Sequence, residues 1–330
     1  MTNGDPILWS LYVYAPNKGA PIFFTIAYAL AAGLHIWQCY RYSSFRLIGL
    51  YPLCGVIFTL GYALREYGAY NYLYREGDNG PLIGYILSQV PLLELANYHI
   101  LARVFYYIPY LAPLPPARVL STFGGLMILV EFLNALGVSL SSNPSSSSTQ
   151  QNIGSNMTIA ALSLQVVVIV TFGILAGLFQ YKLQKSRISS RKVTIPLRTL
   201  YASMGMILVR CIYRLIEHAG HTTIDINDME VLRGLTPVLR YEWFFYVFEA
   251  SLMLVNMVVW NIWHAGRFLP RGHLVYLGRD SVEAVAEEGK DERSLGKKVG
   301  HVLSFGVLFR KKGAYQDLSA GGGTVQLETR

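Results

Sequence analysis

The sequence has few charged residues for its length. Only 15% of its 330 residues are Asp, Glu, Lys or Arg, whereas 52% are apolar, and the mean hydropathy is +0.34. A soluble domain of this length needs far more charge to cover its surface. Because the apolar residues are gathered into long blocks, the composition predicts an integral membrane protein.

Motifs for catalysis and cofactor binding are also lacking. The three cysteines lie inside apolar blocks without CxxC or disulfide spacing, and no G-x-S-x-G nucleophile elbow occurs. The stretch "GKDERSLGKK" has its glycines seven apart rather than five, and no Ser or Thr follows the lysine, so it is not a phosphate loop. The histidines are not predicted to converge on a metal ion. We therefore expect no catalytic residues, no metal, no cofactor and no enzymatic activity.

The net charge of +8 does not indicate nucleic-acid binding, since no base-reading motif accompanies it. Six basic residues lie between Lys182 and Arg198, and eleven follow His264. Basic residues beside apolar blocks set membrane orientation or contact anionic lipid. We therefore expect anionic inner-leaflet lipid to be a partner of the basic loops and tail.

Seven apolar blocks are long enough to cross a membrane, which takes about 20 helical residues. The sequence thus predicts an all-α polytopic membrane protein with seven transmembrane helices within residues 1–265. Lys and Arg occur in the loops after the first, third and fifth blocks, and none occurs between the fourth and fifth. The N-terminus is therefore predicted outside and the C-terminus in the cytoplasm. The predicted helices span residues 21–40, 45–64, 82–106, 117–138, 158–181, 196–216 and 242–263.

The segments outside these helices carry three further predictions. Residues 266–330 are predicted to be a mostly disordered basic tail, with one short helix around Ser281–Glu288. Asn156 begins the sequon Asn-Met-Thr in the predicted outer loop, which makes it a candidate glycosylation site. Because no positively charged region precedes the first apolar block, no cleaved signal peptide is expected.

Several charged side chains lie inside the apolar blocks, where each costs roughly 2.5–3.5 kcal/mol at mid-bilayer. Arg210, Arg214 and Glu217 are spaced four and three residues apart, which places them on one helical face. At 1.5 Å per residue, Glu249 reaches the same depth as Arg210, and we predict that these two pair. The side chains predicted to form a polar core or substrate site are Arg210, Arg214, Glu217, Glu249, Glu242, Glu131, Asn134, Glu94 and Asn97.

Two interpretations of this set stay open. Arg214 and Glu217 are compatible with side chains that extend to the outer interface, and Glu242 with a helix start in water. The deeper residues form either an ion-pair network that holds the helices together or a site for the polar head group of an amphipathic substrate.

The longest motifs resemble those of a known family. The stretches are "YAPNKGAPIFF", "GYALR", "ELANYHILARVFYYIPY", "VEFLNALGVSL", "LVRCIYRLIEHAGH" and "YEWFFYVFEASLMLVNMVVWNIWHAGRFLP". Together they resemble the fungal RTA-like, lipid-translocating exporter family of seven-helix membrane proteins over residues 14–270. Glu249 stands where many members have Asp, which keeps the carboxylate. Ala265 stands where Pro commonly follows the histidine, and this difference affects only how sharply the chain turns away at the end of the last helix.

The resemblance implies a protein of the plasma membrane or an endomembrane. It also implies translocation or release of sphingoid bases, or resistance to toxic amphipathic compounds, and it supplies no catalytic residues. We therefore predict ATP-independent translocation or export of amphipathic, sphingoid-base-like lipids or of toxic amphipathic compounds, with membrane lipids or sphingoid bases as partners. A seven-helix sensor or receptor that signals through its cytoplasmic tail is the alternative. A membrane lipid hydrolase is a third, weaker interpretation, since no nucleophile or metal site can be assembled.

Overall fold

The computed structural model of the protein describes residues 5–10, 12–73, 83, 92–141, 147–186, 190–219, 228–270, 272, 274–278, 282–285 and 325–326. These residues are mostly helical. The main helices are α1 (Ala20–Tyr42), α2 (Phe45–Ile48), α3 (Leu50–Tyr70), α4 (Leu92–Tyr107), α5 (Pro116–Ser141), α6 (Ser148–Lys185) and α7 (Arg191–Ala219). The short helices α8 (Met229–Arg233) and α9 (Pro237–Arg240) follow, and then α10 (Glu242–Phe245), a π-helical segment (Tyr246–Ser251) and α11 (Leu252–Ile262).

Five described helical stretches are long and apolar enough to cross a membrane. They are Ala20–Tyr42, Arg118–Ser141, Thr149–Lys185, Arg191–Ala219 and Glu242–Arg267. Helix α3 is not among them, and the 16 residues of α4 are preceded by a segment that lies outside the described residues, including most of the predicted stretch 82–91. The prediction of a helical membrane protein is therefore confirmed with five candidate spans, while the sixth and seventh stay predictions.

The outward face of α1 carries the apolar side chains. Phe23, Ile26, Leu30 and Leu34 are between 52% and 66% exposed. The inward face of the same helix instead holds the fully buried polar side chains of Tyr28 and His35. This pattern is the reverse of a soluble helix, because a continuous apolar stripe facing water is unfavourable. The protein is thus an integral membrane protein whose polar groups point into the helix bundle.

Helix α6 begins ten residues earlier than the sequence predicts. Ser147 and Gln150 form a capping box, in which each side chain accepts a hydrogen bond from the backbone N–H of the other. This cap starts the helix at Ser148. The prediction that Asn156 lies in a loop is therefore wrong. Asn156 is exposed but helical, and Thr158 of the same sequon is fully buried, with its hydroxyl donating to the carbonyl of Gly154.

Helix α1 runs parallel to the π-helical segment and α11, and hydrogen bonds at two matching positions join them. The Tyr28 hydroxyl donates to the Ala250 carbonyl at 2.8 Å, and the His35 Nε2 lies 3.2 Å from the Met257 carbonyl oxygen. The seven-residue spacing is the same on both helices. Ala250 belongs to the π-helical segment, in which the regular i to i−4 pattern is interrupted and carbonyls accept from other donors. The first and last main helices are thereby fixed side by side.

The chain after α11 packs against the end of the bundle where α4 finishes. A three-residue 3₁₀ turn (Ala265–Arg267) leads to β1 (Val275–Leu277), which pairs antiparallel with β2 (Glu283–Val285), and β2 pairs with β3 (Val325–Gln326). The predicted helix around Ser281–Glu288 is therefore wrong, since residues 283–285 form a strand. Most of the predicted disordered tail lies outside the described residues.

Glu283 attaches this small sheet to the bundle. Its Oε1 accepts hydrogen bonds from the Lys192 ammonium at 2.7 Å and from the Tyr107 hydroxyl at 2.6 Å. Partial burial opposes ionisation, but the two hydrogen bonds outweigh it and hold the pKa of Glu283 below its usual value. Arg103 donates to the carbonyls of Pro270, Gly272 and Val275. The carboxylate and the guanidinium thus connect the C-terminal segment to α4 and α7.

Helices α5 and α6 approach each other most closely at two glycines. A Cβ on Gly154 would lie 2.6 Å from the carbonyl oxygen of Gly137 and 2.7 Å from the amide nitrogen of Ser141. Both neighbours are backbone atoms, which cannot rotate away. Small residues at such crossings let membrane helices pack by van der Waals contact.

We therefore predict that Gly154→Ala destabilises the protein by about 1–3 kcal/mol, the usual cost of overpacking. Gly173→Ala on the same helix is the control, because nothing lies within 4 Å of the position of its Cβ. Thermal unfolding in detergent, followed by size-exclusion chromatography, measures both variants. Equal stability of the two would contradict the close approach.

Candidate functional site

The predicted ion pair between Arg210 and Glu249 is present inside the bundle. Glu249 Oε1 accepts from Arg210 Nε and Nη2, both at 2.5 Å. The two side chains are 8% and 1% exposed, respectively. At this burial the pair is shielded from water, so neither partner is replaceable by solvent. The second carboxylate oxygen of Glu249 is buried without a hydrogen-bond partner among the described residues.

The π-helical segment positions Glu249 and separates it from its neighbours in sequence. Glu242, Glu249 and Asn256 are seven residues apart, which predicts one stripe on a regular helix. The structure instead directs Glu242 to Arg65 on α3, whereas Glu249 and Asn256 face Arg210 and Ser203 on α7. Single π-helical turns inside α-helices are frequent at functional sites.

Arg214 and Glu217 do not extend to an outer interface. They are 3% and 7% exposed, and Arg214 Nη1 donates to Glu217 Oε2 one turn away on α7. The interpretation that they reach toward the membrane surface is therefore wrong, since both point into the bundle. Glu217 is also within electrostatic range of Glu249 and Arg65. The Arg214–Glu217 pair and the Arg210–Glu249 pair therefore belong to one network.

Arg65 is a central residue that the sequence analysis missed. Its guanidinium lies 4.0 Å from the centre of the Phe245 ring, donates to the Tyr14 hydroxyl at 3.1 Å, and forms an ion pair with Glu242 at 3.4 Å. Glu242 in turn accepts from the backbone N–H of Asn17. Glu242 does begin a helix, α10, but the interpretation that its side chain lies in water is wrong, since it is only 13% exposed and pairs with Arg65. Arg65 was missed because the predicted helix ended at Leu64, whereas α3 continues to Tyr70.

The bundle also contains a chain of hydrogen bonds between uncharged side chains. The Tyr51 hydroxyl donates to Asn97 Oδ1, the Asn97 amide donates to Ser203 Oγ, and Ser203 Oγ lies 2.7 Å from Asn256 Oδ1. All four residues are fully buried, and they belong to α3, α4, α7 and α11. Of these, only Asn97 is a predicted site residue. Tyr51 and Ser203 carried no signal, because single hydroxyl groups are common in apolar helices.

Glu94 is buried, and no arginine in the described part of the chain forms an ion pair with it. Its carboxylate accepts from the Gln165 amide at 2.6 Å and from the Tyr98 hydroxyl. Both donors are uncharged, so they satisfy hydrogen bonding without neutralising the charge. Gln165 on α6 is a further residue that the sequence analysis missed, since a lone glutamine in an apolar block gives no periodic pattern.

Glu131 and Asn134 lie three residues apart on α5 and are the least satisfied members of the set. Glu131 is partly buried and makes no hydrogen bond or ion pair within the part of the chain that the structure describes, although Arg210, Arg214 and Glu94 are within electrostatic range. The buried Oδ1 of Asn134 likewise has no hydrogen-bond partner among these residues. The Glu131 carboxylate and the Asn134 amide oxygen therefore lie on one face of α5, and both can accept a further hydrogen bond.

The cluster as a whole contains more carboxylates than guanidinium groups. The three arginines each pair with one glutamate, as Arg65–Glu242, Arg210–Glu249 and Arg214–Glu217. Glu94 and Glu131 remain without an ion-pair partner among the described residues. They are the two carboxylates to which a positively charged group would add the largest electrostatic gain.

No group of three or more His, Cys, Asp or Glu residues with metal-binding geometry occurs in the described residues. His35 and His264 have ring centroids 6.2 Å apart.

Comparison with known proteins supplies the context of this cluster. The family model described as "RTA1 like protein" matches residues 52–272, which include the paired arginines and glutamates. No solved structure matches this chain.

Three curated fungal proteins are similar in sequence. A "Lipid-translocating exporter-like protein RTA1" of Leptosphaeria maculans is 51% identical over 94% of this chain, and the chain spans 61% of that protein's length. A protein of the same name from Ajellomyces capsulatus is 29% identical over 72% of this chain and 75% of its own length. The "Probable lipid transporter atnI" of Emericella nidulans is 24% identical over 79% of this chain and 68% of its own length.

We predict that Arg210→Met destabilises the protein by about 3–5 kcal/mol, because it leaves a buried carboxylate without its partner. The double variant Arg210→Met, Glu249→Leu regains a large part of this loss, since no isolated charge remains. Denaturant unfolding in detergent measures both. The exposed pair Lys192–Glu283 is the control, and Lys192→Met costs about 1 kcal/mol or less. A double variant as unstable as the single one would contradict the pairing.

We also predict that Arg65→Gln releases the N-terminal segment. Charge-assisted hydrogen bonds are worth about 1.5–3 kcal/mol each, so trypsin cleavage after Lys18 becomes about tenfold faster or more. The exposed Arg41→Gln is the control. Cleavage at equal rates in the two variants would show that Arg65 does not hold this segment.

Proposed function

This chain belongs to the RTA1-like family, and we propose that it moves amphipathic lipids with a positively charged head group across the membrane without ATP. The relatives named as lipid-translocating exporters and a probable lipid transporter support lipid movement. The surplus of carboxylates in the polar cluster supports the amine, as in a sphingoid base. The printed sequence contains no nucleotide-binding motif, which favours facilitated movement or coupling to a gradient.

The observation that carries this proposal is that neither Glu94 nor Glu131 forms an ion pair with an arginine among the residues that the structure describes. A lipid phosphate or carboxylate would have to compete with glutamates for arginines that are already paired. An ammonium group instead finds two carboxylates within electrostatic range of each other. Its binding between them replaces repulsion by attraction inside the helix bundle, where such interactions are stronger than in water.

The position of Glu131 supports entry of the lipid from the side. Glu131 is partly buried, and the next residue, Phe132, is 59% exposed on the outward face of α5. A lipid that approaches α5 from the bilayer keeps its chain against this apolar face while its head group reaches Glu131. Asn134, one turn further, offers its amide oxygen, which has no hydrogen-bond partner among the described residues, to a hydroxyl group of the same head group.

The proposal includes seven membrane-spanning helices, with α3 and the helix that ends at Tyr107 as the two additional crossings. It also places the N-terminus outside and the basic C-terminal segment in the cytoplasm, in agreement with the distribution of Lys and Arg. In this orientation the Arg65–Glu242 pair lies toward the outer surface. The N-terminal segment that it holds then covers the outer end of the polar cluster.

Transport by purified protein in liposomes tests the proposal. We predict that Glu131→Gln lowers the rate of movement of a fluorescent sphingoid base about tenfold, the equivalent of about 1.4 kcal/mol of lost stabilisation. Movement of the N-acylated counterpart, which has no positive charge, changes much less. Glu230→Gln is the matched control, because Glu230 is exposed at the start of α8.

Protein-free liposomes supply the background rate for each lipid. Rates for both lipids that are the same in Glu131→Gln, Glu94→Gln and Glu230→Gln would contradict the amine site. A sensor or receptor predicts another outcome, in which the reconstituted protein moves neither lipid above background.

A further inference from the structure

A cavity lies at the end of the bundle where α1 and α4 finish and α5 begins. Its volume is about 510 Å³, which is within the range of small-molecule binding sites. The Arg65–Glu242 pair lies at the other end, where α3 finishes and α10 begins. None of Glu94, Glu131, Arg210 or Glu249 belongs to the wall of this cavity as the structure describes it, so it is separate from the polar cluster.

The charge of the cavity is opposite to that of the polar cluster. Arg46, His99 and Arg103 contribute to its wall, and no Asp or Glu is present among its described lining residues. Arg46 is exposed and makes no hydrogen bond or ion pair with a described residue. Arg103 donates hydrogen bonds to the carbonyls of Pro270, Gly272 and Val275, and its guanidinium lies 5.4 Å from the centre of the Tyr106 ring. The cavity therefore favours an anion.

The remaining wall is apolar and aromatic. Leu47, Ala102, Leu120 and Leu269 lie beside the basic residues, together with the ring of Tyr106. A small inorganic anion gains no binding energy from contact with such a surface, whereas an acyl or alkyl chain gains about 0.8 kcal/mol for each buried CH₂ group. The combination fits an amphiphile with an anionic head group.

A buried histidine lies directly behind this wall. The His264 ring is 5.5 Å from the ring of Tyr42, and its Cε1 would lie 3.1 Å from a Cβ on Gly266. Tyr42 and Gly266 both line the cavity. His264 is fully buried, and neither of its ring nitrogens has a hydrogen-bond partner among the described residues. Unsatisfied buried nitrogens are costly, and an oxygen atom that reaches past Tyr42 would satisfy one of them.

We infer that this cavity binds the phosphate of an anionic amphiphile, such as a phosphate-bearing diacyl or sphingoid lipid. Arg46 and His99 contact the phosphate oxygens, and the leucines hold the start of the chain. Arg103 links this site to the C-terminal segment, because the carbonyls that it binds belong to residues 270–275. The site is distinct from the proposed amine site, which carries the opposite charge.

Native mass spectrometry of the full chain in detergent, with short-chain phosphatidic acid as the probe, tests this inference. We expect Arg46→Gln to weaken binding about tenfold, the effect of one charge-assisted hydrogen bond. Arg41→Gln is the control, since Arg41 is exposed at the same end of α1 and does not line the cavity. Ala102→Phe, which narrows the cavity without removing a charge, should weaken binding as well.

Three results would overturn the inference. They are equal affinity of the Arg46 and Arg41 variants, binding of diacylglycerol as tight as that of phosphatidic acid, and binding of inorganic phosphate as tight as that of the lipid. The last result would assign the cavity to a free anion instead of an amphiphile. Glu131→Gln should leave phosphatidic acid binding unchanged, so failure of the amine site and failure of this site are distinguishable.

Discussion

The requirement that each buried arginine has a carboxylate partner organises this structure. Arg65, Arg210 and Arg214 are at least nine-tenths buried, and a lone guanidinium at this depth is strongly unfavourable. Two of the three partners come from the segment Glu242–Glu249, so pairing fixes this last part of the bundle against α3 and α7. The third pair lies within α7 and keeps Arg214 directed inward.

The other main features follow from this arrangement. The π-helical segment brings Glu249 to Arg210 while Glu242 reaches Arg65, which a regular helix with the same spacing would not do. The hydrogen-bond chain through Asn97, Ser203 and Asn256 then aligns α4, α7 and α11 without further charge. In the proposed function, the additional carboxylates of Glu94 and Glu131 make the cluster favour a positively charged ligand. No Asp or Glu is among the described lining residues of the basic cavity at the other end, for which we infer the opposite preference.

Much of this could be predicted from the sequence, and the reasons for the exceptions are physical. The lengths of the apolar blocks predicted the positions of the main helices. The equal depths predicted for Arg210 and Glu249 in the membrane identified these two residues as partners. Hydropathy could not place the start of α6, because a capping box extends it through the polar residues after Ser147. Nor could it reveal the role of Arg65, since a helix end is set by packing and capping as well as by composition. The direction of Arg214 and Glu217 depended on which side of α7 the neighbouring helices cover, and spacing alone does not show this.

The most direct test of the account is a cryo-electron microscopy structure in lipid nanodiscs with a sphingoid base added. The account predicts density for the lipid along α5, with its amine within about 4 Å of the carboxylates of Glu94 and Glu131, while the three arginine–glutamate pairs stay intact. Density for the head group on Arg210 or Arg214, with Glu249 or Glu217 displaced, would contradict it.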